Sequence, residues 1–235
     1  MMKNIMKYSL IFIMILHSCS EEKQDKQPVP FIEPSAYLAL GDSYTIGQSV
    51  EEKDRFPVLL TQDLNKRGNP YKPPKIIAKT GWTTDELKDA IIEENIDNNY
   101  DLVTLLIGVN NQYRGRDVEE FRVQFTELLD MAITFAKGQK ENVIVISIPD
   151  WGVSPFAENR DREKIGEEID LYNQVKEEVS LAKNVAFVNI TDVSRSALGK
   201  PEFFANDGLH FSGKMHQLWV DEIFTQYFNK TGNNE

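Results

Sequence analysis

Residues 38–49 read LALGDSYTIGQS, an apolar run that stops on Gly41 and Asp42 and passes through Ser43 into a polar stretch. An unbroken apolar run ended by turn-forming residues is the pattern of a strand buried on both faces, as in a parallel sheet. The same pattern recurs downstream. Strands are predicted over 36–40, 75–79, 102–107, 143–148 and 185–190, and helices over 56–66, 84–96, 118–136, 163–182 and 213–228. Phe121, Phe125, Leu128, Leu129 and Ala132 repeat at three- and four-residue spacing, which gives the third of these helices one apolar face. Thr83-Thr84-Asp85-Glu86 has the form of a capping box ahead of the second. Strands alternating with helices predict an α/β fold: a three-layer α/β/α sandwich around a five-stranded, mainly parallel sheet with flavodoxin-like strand order.

A chain of 235 residues suits one such domain. Hydrophobic content of 41% with 27% charged residues describes a globular protein, and a net charge of −11 excludes a large phosphate-backbone footprint, so no nucleic-acid partner is expected. The N-terminus falls outside the domain. Lys3 and Lys7 mark a short positive region ahead of the apolar stretch YSLIFIMIL, which is too short to span a bilayer and fits the hydrophobic region of an export signal. The only cysteine, Cys19, follows at once. Residues 20–35 are polar, with Pro28, Pro30 and Pro34 favouring an extended tether. The expected organisation is a signal peptide over 1–18, a tether over 19–35 and a catalytic domain over 36–235.

In open α/β sheets ligands bind outside the carboxyl ends of the strands, so chemistry is sought there. Gly41-Asp42-Ser43 follows the first run, Thr80-Gly81 the second, Gly108-Val109-Asn110-Asn111 the third, Pro149-Asp150-Trp151 the fourth and Thr191-Asp192 the fifth. Asp207 and His210 lie in the loop before the last helix. Together these are parts for acyl transfer: a serine nucleophile needs an imidazole base, the base needs a carboxylate, and the oxyanion needs backbone or amide donors. Of the three histidines, His17 lies in the signal and His216 inside a helix as a surface or partly buried packing residue, which leaves His210 as base. Asp42, Asp192 and Asp207 each qualify as its partner. Trp82, Tyr113, Trp151 and Phe156 lie in strand-end loops, either as walls of a substrate pocket or as caps on the core.

Those residues resemble the GDSL/SGNH hydrolase family across nearly the whole chain from Tyr37 onward. Gly41-Asp42-Ser43 matches the first family block, Gly81 in KTGWT the second, Asn110 in IGVNN the third, and Asp207-Gly208-Leu209-His210 the last. The resemblance implies Ser43 as nucleophile, His210 as base and Asp207 as its orienting acid. It implies an oxyanion hole from the Ser43 and Gly81 backbone N–H groups and the Asn110 side chain. The first block reads GDSY in place of GDSL, and the third has Asn111 where many members carry Asp, which brings Asn111 among the substrate-binding candidates with Trp82, Tyr113 and Trp151. Leu16-His17-Ser18-Cys19 likewise resembles a bacterial lipobox, with His17 at a position usually held by a small residue, and implies lipidation at Cys19.

The expected function is a metal-independent serine esterase without cofactor, acting on a small ester or an acylated glycan. Its expected place is the bacterial outer membrane, held by the lipid anchor and facing either the periplasm or the surface. A lysophospholipase or thioesterase of the same family is the alternative. An inactive glycan-binding lipoprotein is the alternative from another class. The shortage of His and Cys disfavours a metal centre, and no G-x-S-x-G, Walker A or G-x-G-x-x-G motif occurs.

Overall fold

The computed structural model describes residues 33–229. The expected signal peptide, Cys19 and nearly all of the tether lie outside the described residues. The five strands are β1 (Tyr37–Gly41), β2 (Lys75–Ala78), β3 (Leu102–Leu106), β4 (Val143–Ile146) and β5 (Ala186–Val188). They pair in the order β2-β1-β3-β4-β5, all parallel, so the flavodoxin-like order read from the sequence holds. β1, β3 and β4 are buried along their whole length, as unbroken apolar runs demand, whereas edge strand β2 opens to solvent at Lys75.

The long helices are α2 (Phe56–Lys66), α3 (Thr84–Glu94), α5 (Val118–Phe135), α6 (Arg162–Lys183) and α8 (Gly213–Ile223). α3, α5 and α6 pack side by side, and α2 packs on α8 to form the other layer. Three short helices complete the set: α1 (Ser43–Ile46), α4 (Val109–Tyr113) and α7 (Thr191–Arg195), each begun within three residues of a strand end. The last helix ends in a π-helical turn over Phe224–Phe228 rather than continuing as a regular α-helix. No helix among the described residues is long and apolar enough to cross a membrane.

Local chemistry fixes the boundaries. The capping box at α3 is made, with Thr83 N donating to Glu86 Oε2 at 2.8 Å. Pro57 occupies the first turn of α2, where its missing N–H costs nothing. One boundary moves. Ser35, expected in the tether, donates from its N–H to Pro70 O at 2.8 Å and bridges Tyr71, so the folded domain starts before residue 36.

Candidate active site

The carboxyl ends of β1, β2 and β3, with the loop before α8, enclose a cavity of about 200 Å³. Ser43, Gly81, Asn110 and His210 all line it, joined by Tyr44, Val109 and Leu209. Four residues spread over most of the sequence meet because a parallel sheet brings every carboxyl end to one edge.

Ser43 opens α1 directly after β1, where backbone N–H groups have no helical partner. Asp42 caps this helix, accepting from Tyr44 N at 3.0 Å. Asp42, one of the three acids that qualified as partner of the histidine, thus organises the turn, and the carboxylate bonded to His210 is Asp207. Gly41 has no room for a side chain, since a Cβ there would sit 2.2 Å from Leu106 O, so only glycine lets β1 run this close to β3. Asp42 is buried, and burial pushes its carboxyl up against the pull of the Tyr44 N–H and of Lys176. Lys176, fully buried on α6, donates to Ile107 O at 3.1 Å and Ile146 O at 2.6 Å. Burial drives its ammonium pKa down, partly offset by the Asp42 charge.

Asp207 and His210 are joined, with His210 Nδ1 and Asp207 Oδ2 2.8 Å apart. When Nδ1 donates to the carboxylate, Nε2 is left free to accept a proton. Asp207 also accepts from Leu209 N and His210 N, each at 2.9 Å, and from Ser49 Oγ at 2.7 Å. Partial burial alone pushes this carboxyl up, but these donors overcome it and hold it well below the usual carboxylate range. Ser49 is a residue the sequence reading missed. Its φ of 62° is rare for a non-glycine residue, and this strained turn delivers its hydroxyl to Asp207. Asp192, the other acid considered, instead accepts from Asn189 Nδ2 at 3.2 Å and lines a different cavity.

Gly81 takes φ +90°, a conformation L side chains rarely adopt. Its carbonyl is held by Arg114 Nη2 at 2.6 Å, and Arg114 Nη1 reaches Glu86 Oε1 at 3.3 Å. Asn110 Nδ2 spends one hydrogen on Trp82 O at 2.9 Å and keeps the second. The Ser43 and Gly81 N–H groups have no intramolecular acceptor among the described residues. The arrangement can therefore supply a hydroxyl, a base with a fixed acid, and three donors.

The substrate-binding candidates divide. Tyr113 and Trp151 line the cavity, their rings edge to face at 5.5 Å. Trp82 and Asn111 do not line it. Trp82 packs against the core. Asn111 is 1% exposed and ties α4 to α3, its Oδ1 accepting from Thr84 N at 3.1 Å and its Nδ2 donating to Thr84 Oγ1 at 2.8 Å. An amide one residue past the donor asparagine serves here as a buried brace, because the α4 turn points it inward. His216, expected on a surface or partly buried, is wholly buried, stacked on Trp219 at 4.4 Å and accepting from Phe56 N at 3.0 Å. No group of three His, Cys, Asp or Glu among the described residues is placed to hold a metal ion.

A family model described as the GDSL-like lipase/acylhydrolase family matches residues 39–218. Among solved structures, a lipase/acylhydrolase from Enterococcus faecalis is similar at 23% identity and TM-score 0.62, covering 83% of this chain and 96% of its own. A catalytic mutant of Axe2, an acetylxylan esterase from Geobacillus stearothermophilus, is similar at 17% identity and TM-score 0.62, with 82% and 94% covered. The acetyl xylan esterase AlAXEase is similar at 16% identity and TM-score 0.64, with 81% and 98% covered. At these identities the structures establish a shared fold. Comparison with curated proteins gives no match.

Proposed function

The chain belongs to the GDSL-like lipase/acylhydrolase family, and from that premise we propose that it is a serine esterase that removes short acyl groups from carbohydrates. The observation that carries the reading is one cavity lined by Ser43, Gly81, Asn110 and His210, with His210 bonded to Asp207 at 2.8 Å.

Ser43 Oγ attacks the ester carbonyl carbon while His210 Nε2 takes the hydroxyl proton. The negative charge that moves onto the carbonyl oxygen is met by the Ser43 and Gly81 N–H groups and the Asn110 amide. Collapse of the tetrahedral species breaks the ester C–O bond, and His210 returns the proton to the departing alcohol. Water then attacks the acyl-Ser43 ester, with His210 again acting as base, and the acid leaves. Asp207 stays ionised throughout, stabilising the imidazolium, which its very low pKa allows.

Cavity size supports a short acyl group. About 200 Å³ lies below the ~300–1,000 Å³ of sites built for drug-sized ligands, and a fatty chain needs more. That weighs against a lysophospholipase. The acetylxylan esterases among the structural neighbours agree with an acetylated sugar as substrate. The proposal extends to the N-terminus: cleavage after residue 18, lipidation of Cys19, and a catalytic domain tethered at the bacterial outer membrane, supported by the LHSC sequence after an apolar stretch.

The test is hydrolysis of a short-chain aryl ester by the wild type beside Ser43→Ala. A fall of about 10⁴- to 10⁶-fold in kcat is expected. Equal rates, or failure of the wild type to react with a serine-directed phosphonate, refute the reading.

A further inference from the structure

Beyond the rings of Tyr113 and Trp151 lies a second cavity of about 390 Å³. The two rings line both cavities, so they form a shared partition. The partition is braced. Trp151 is 3% exposed, its Nε1 donates to Gln112 Oε1 at 2.9 Å, and Gln112 Nε2 donates onward to Glu168 Oε2 at 2.7 Å. Tyr113 stands half out of the protein at 51% exposure, a tyrosine face available beside the catalytic cavity.

Arg160 closes the far side. Its guanidinium carbon lies 5.6 Å from the Tyr113 ring centre, 5.5 Å from Trp151 and 4.8 Å from Phe156, with Nη2 3.4 Å from the Tyr113 hydroxyl. Among the described residues it makes no ion pair with a carboxylate. Most of its donors are therefore unspent and aimed by the rings beneath them. Lys164, Asp161 and Glu168 line the same cavity, which gives two cations against two carboxylates.

We propose that this second cavity is a leaving-group subsite for the sugar residue next to the acylated one, so that the substrate is an acylated oligo- or polysaccharide rather than a monosaccharide ester. The inference rests on the esterase reading above. A catalytic cavity of about 200 Å³ holds the ester and little more, and the neighbouring cavity that shares its Tyr113–Trp151 wall offers the alcohol portion a place to continue. A hydrocarbon chain there would strip water from four charged side chains and give nothing back. A polyanion would meet the chain's net charge of −11. A neutral sugar meets both demands: its hydroxyls donate to the carboxylates and accept from Arg160, Lys164 and Gln112, while its C–H face rests on an aromatic ring.

The experiment compares kcat/KM for an acetylated xylose monosaccharide, an acetylated xylo-oligosaccharide and 4-nitrophenyl acetate, in wild type, Arg160→Ala and Arg160→Gln. The wild type should favour the oligosaccharide over the monosaccharide by about tenfold or more, the scale of one charged hydrogen bond. Both variants should lose most of that preference and keep their rate on 4-nitrophenyl acetate within about twofold. A wild type that treats mono- and oligosaccharide alike overturns the subsite, as do variants that retain the preference. Equal losses on all three esters also overturn it, because Arg160 would then act on the catalytic cavity. If the wild type cleaves 4-nitrophenyl acetate but shows no chain-length preference, the subsite alone fails. If it cleaves none of the esters, the esterase reading fails with it.

Discussion

Arg114 does for the proposed oxyanion hole what Asp207 does for the proposed base: it holds another group still. Gly81 can rotate freely, yet its N–H must point at one place. Arg114 grips its carbonyl at 2.6 Å, and Asn110 grips the next carbonyl, of Trp82, at 2.9 Å. Deleting a whole oxyanion donor costs about 10²- to 10³-fold in kcat; loosening one should cost less. Arg114→Ala is therefore expected to lower kcat on a short aryl ester by about tenfold with KM nearly unchanged, and Arg114→Lys to fall between. A rise in KM with kcat intact would show that the contact serves binding instead. None of this was legible in the sequence, where Arg114 is one charge among many. The pattern that Ser43, Gly81, Asn110, Asp207 and His210 match in order was legible, and the structure brings Ser43, Gly81, Asn110 and His210 to one cavity with Asp207 bonded to His210. Ser49 was not legible, since the signal that marks it is a backbone angle. Asn111 and Trp82 misled because a residue beside a site residue need not face the same way.

At the scale of elements, the buried strands and long helices were readable because apolar runs and 3.6-residue spacing persist over enough residues to be distinguished. α1, α4 and α7 were not, being four or five residues long, too short to show a period. α6 shows a different limit. Hydrophobic periodicity would turn every lysine of a helix outward, yet Lys176 points into the core and Asn173, three residues earlier, joins it. Asn173 Oδ1 accepts from Ile148 N at 2.7 Å and its Nδ2 donates to Ile148 O at 3.0 Å. This face of α6 thus ties down the backbone just past β3 and β4 with polar groups, close to where α1 carries Ser43. Lys176→Met would leave the Ile107 and Ile146 carbonyls without this donor and Asp42 without its nearby cation. Leaving buried carbonyls without their donor costs about 1–3 kcal/mol, and urea unfolding should show a loss of that order. A loss under about 1 kcal/mol would mean the amine braces nothing.

For the whole molecule, the parallel order β2-β1-β3-β4-β5 explains why motifs far apart in sequence form one site, and it also explains where a histidine can be hidden. α8 covers the sheet beside the candidate active site, so His216 sits deep between Phe56 and Trp219 while His210, six residues earlier, reaches the cavity. Burial, then the nearby charges of His210 and Arg55, lower the His216 pKa from 6.5 to about 3. The folded state therefore refuses a proton that the unfolded chain accepts. The stability that neutral His216 confers is complete above about pH 6.5 and drains away as pH falls toward 3, because across that window only the unfolded chain gains the charge. The slope for one such group is about 1.4 kcal/mol per pH unit. Unfolding free energy measured by urea titration from pH 7.5 to pH 4.5 should fall more steeply for the wild type than for His216→Gln. The variant should start lower, having lost the Trp219 stack, and the two curves should converge toward acid. Parallel curves over that range would mean that His216 takes up its proton in the folded protein as easily as in the unfolded chain.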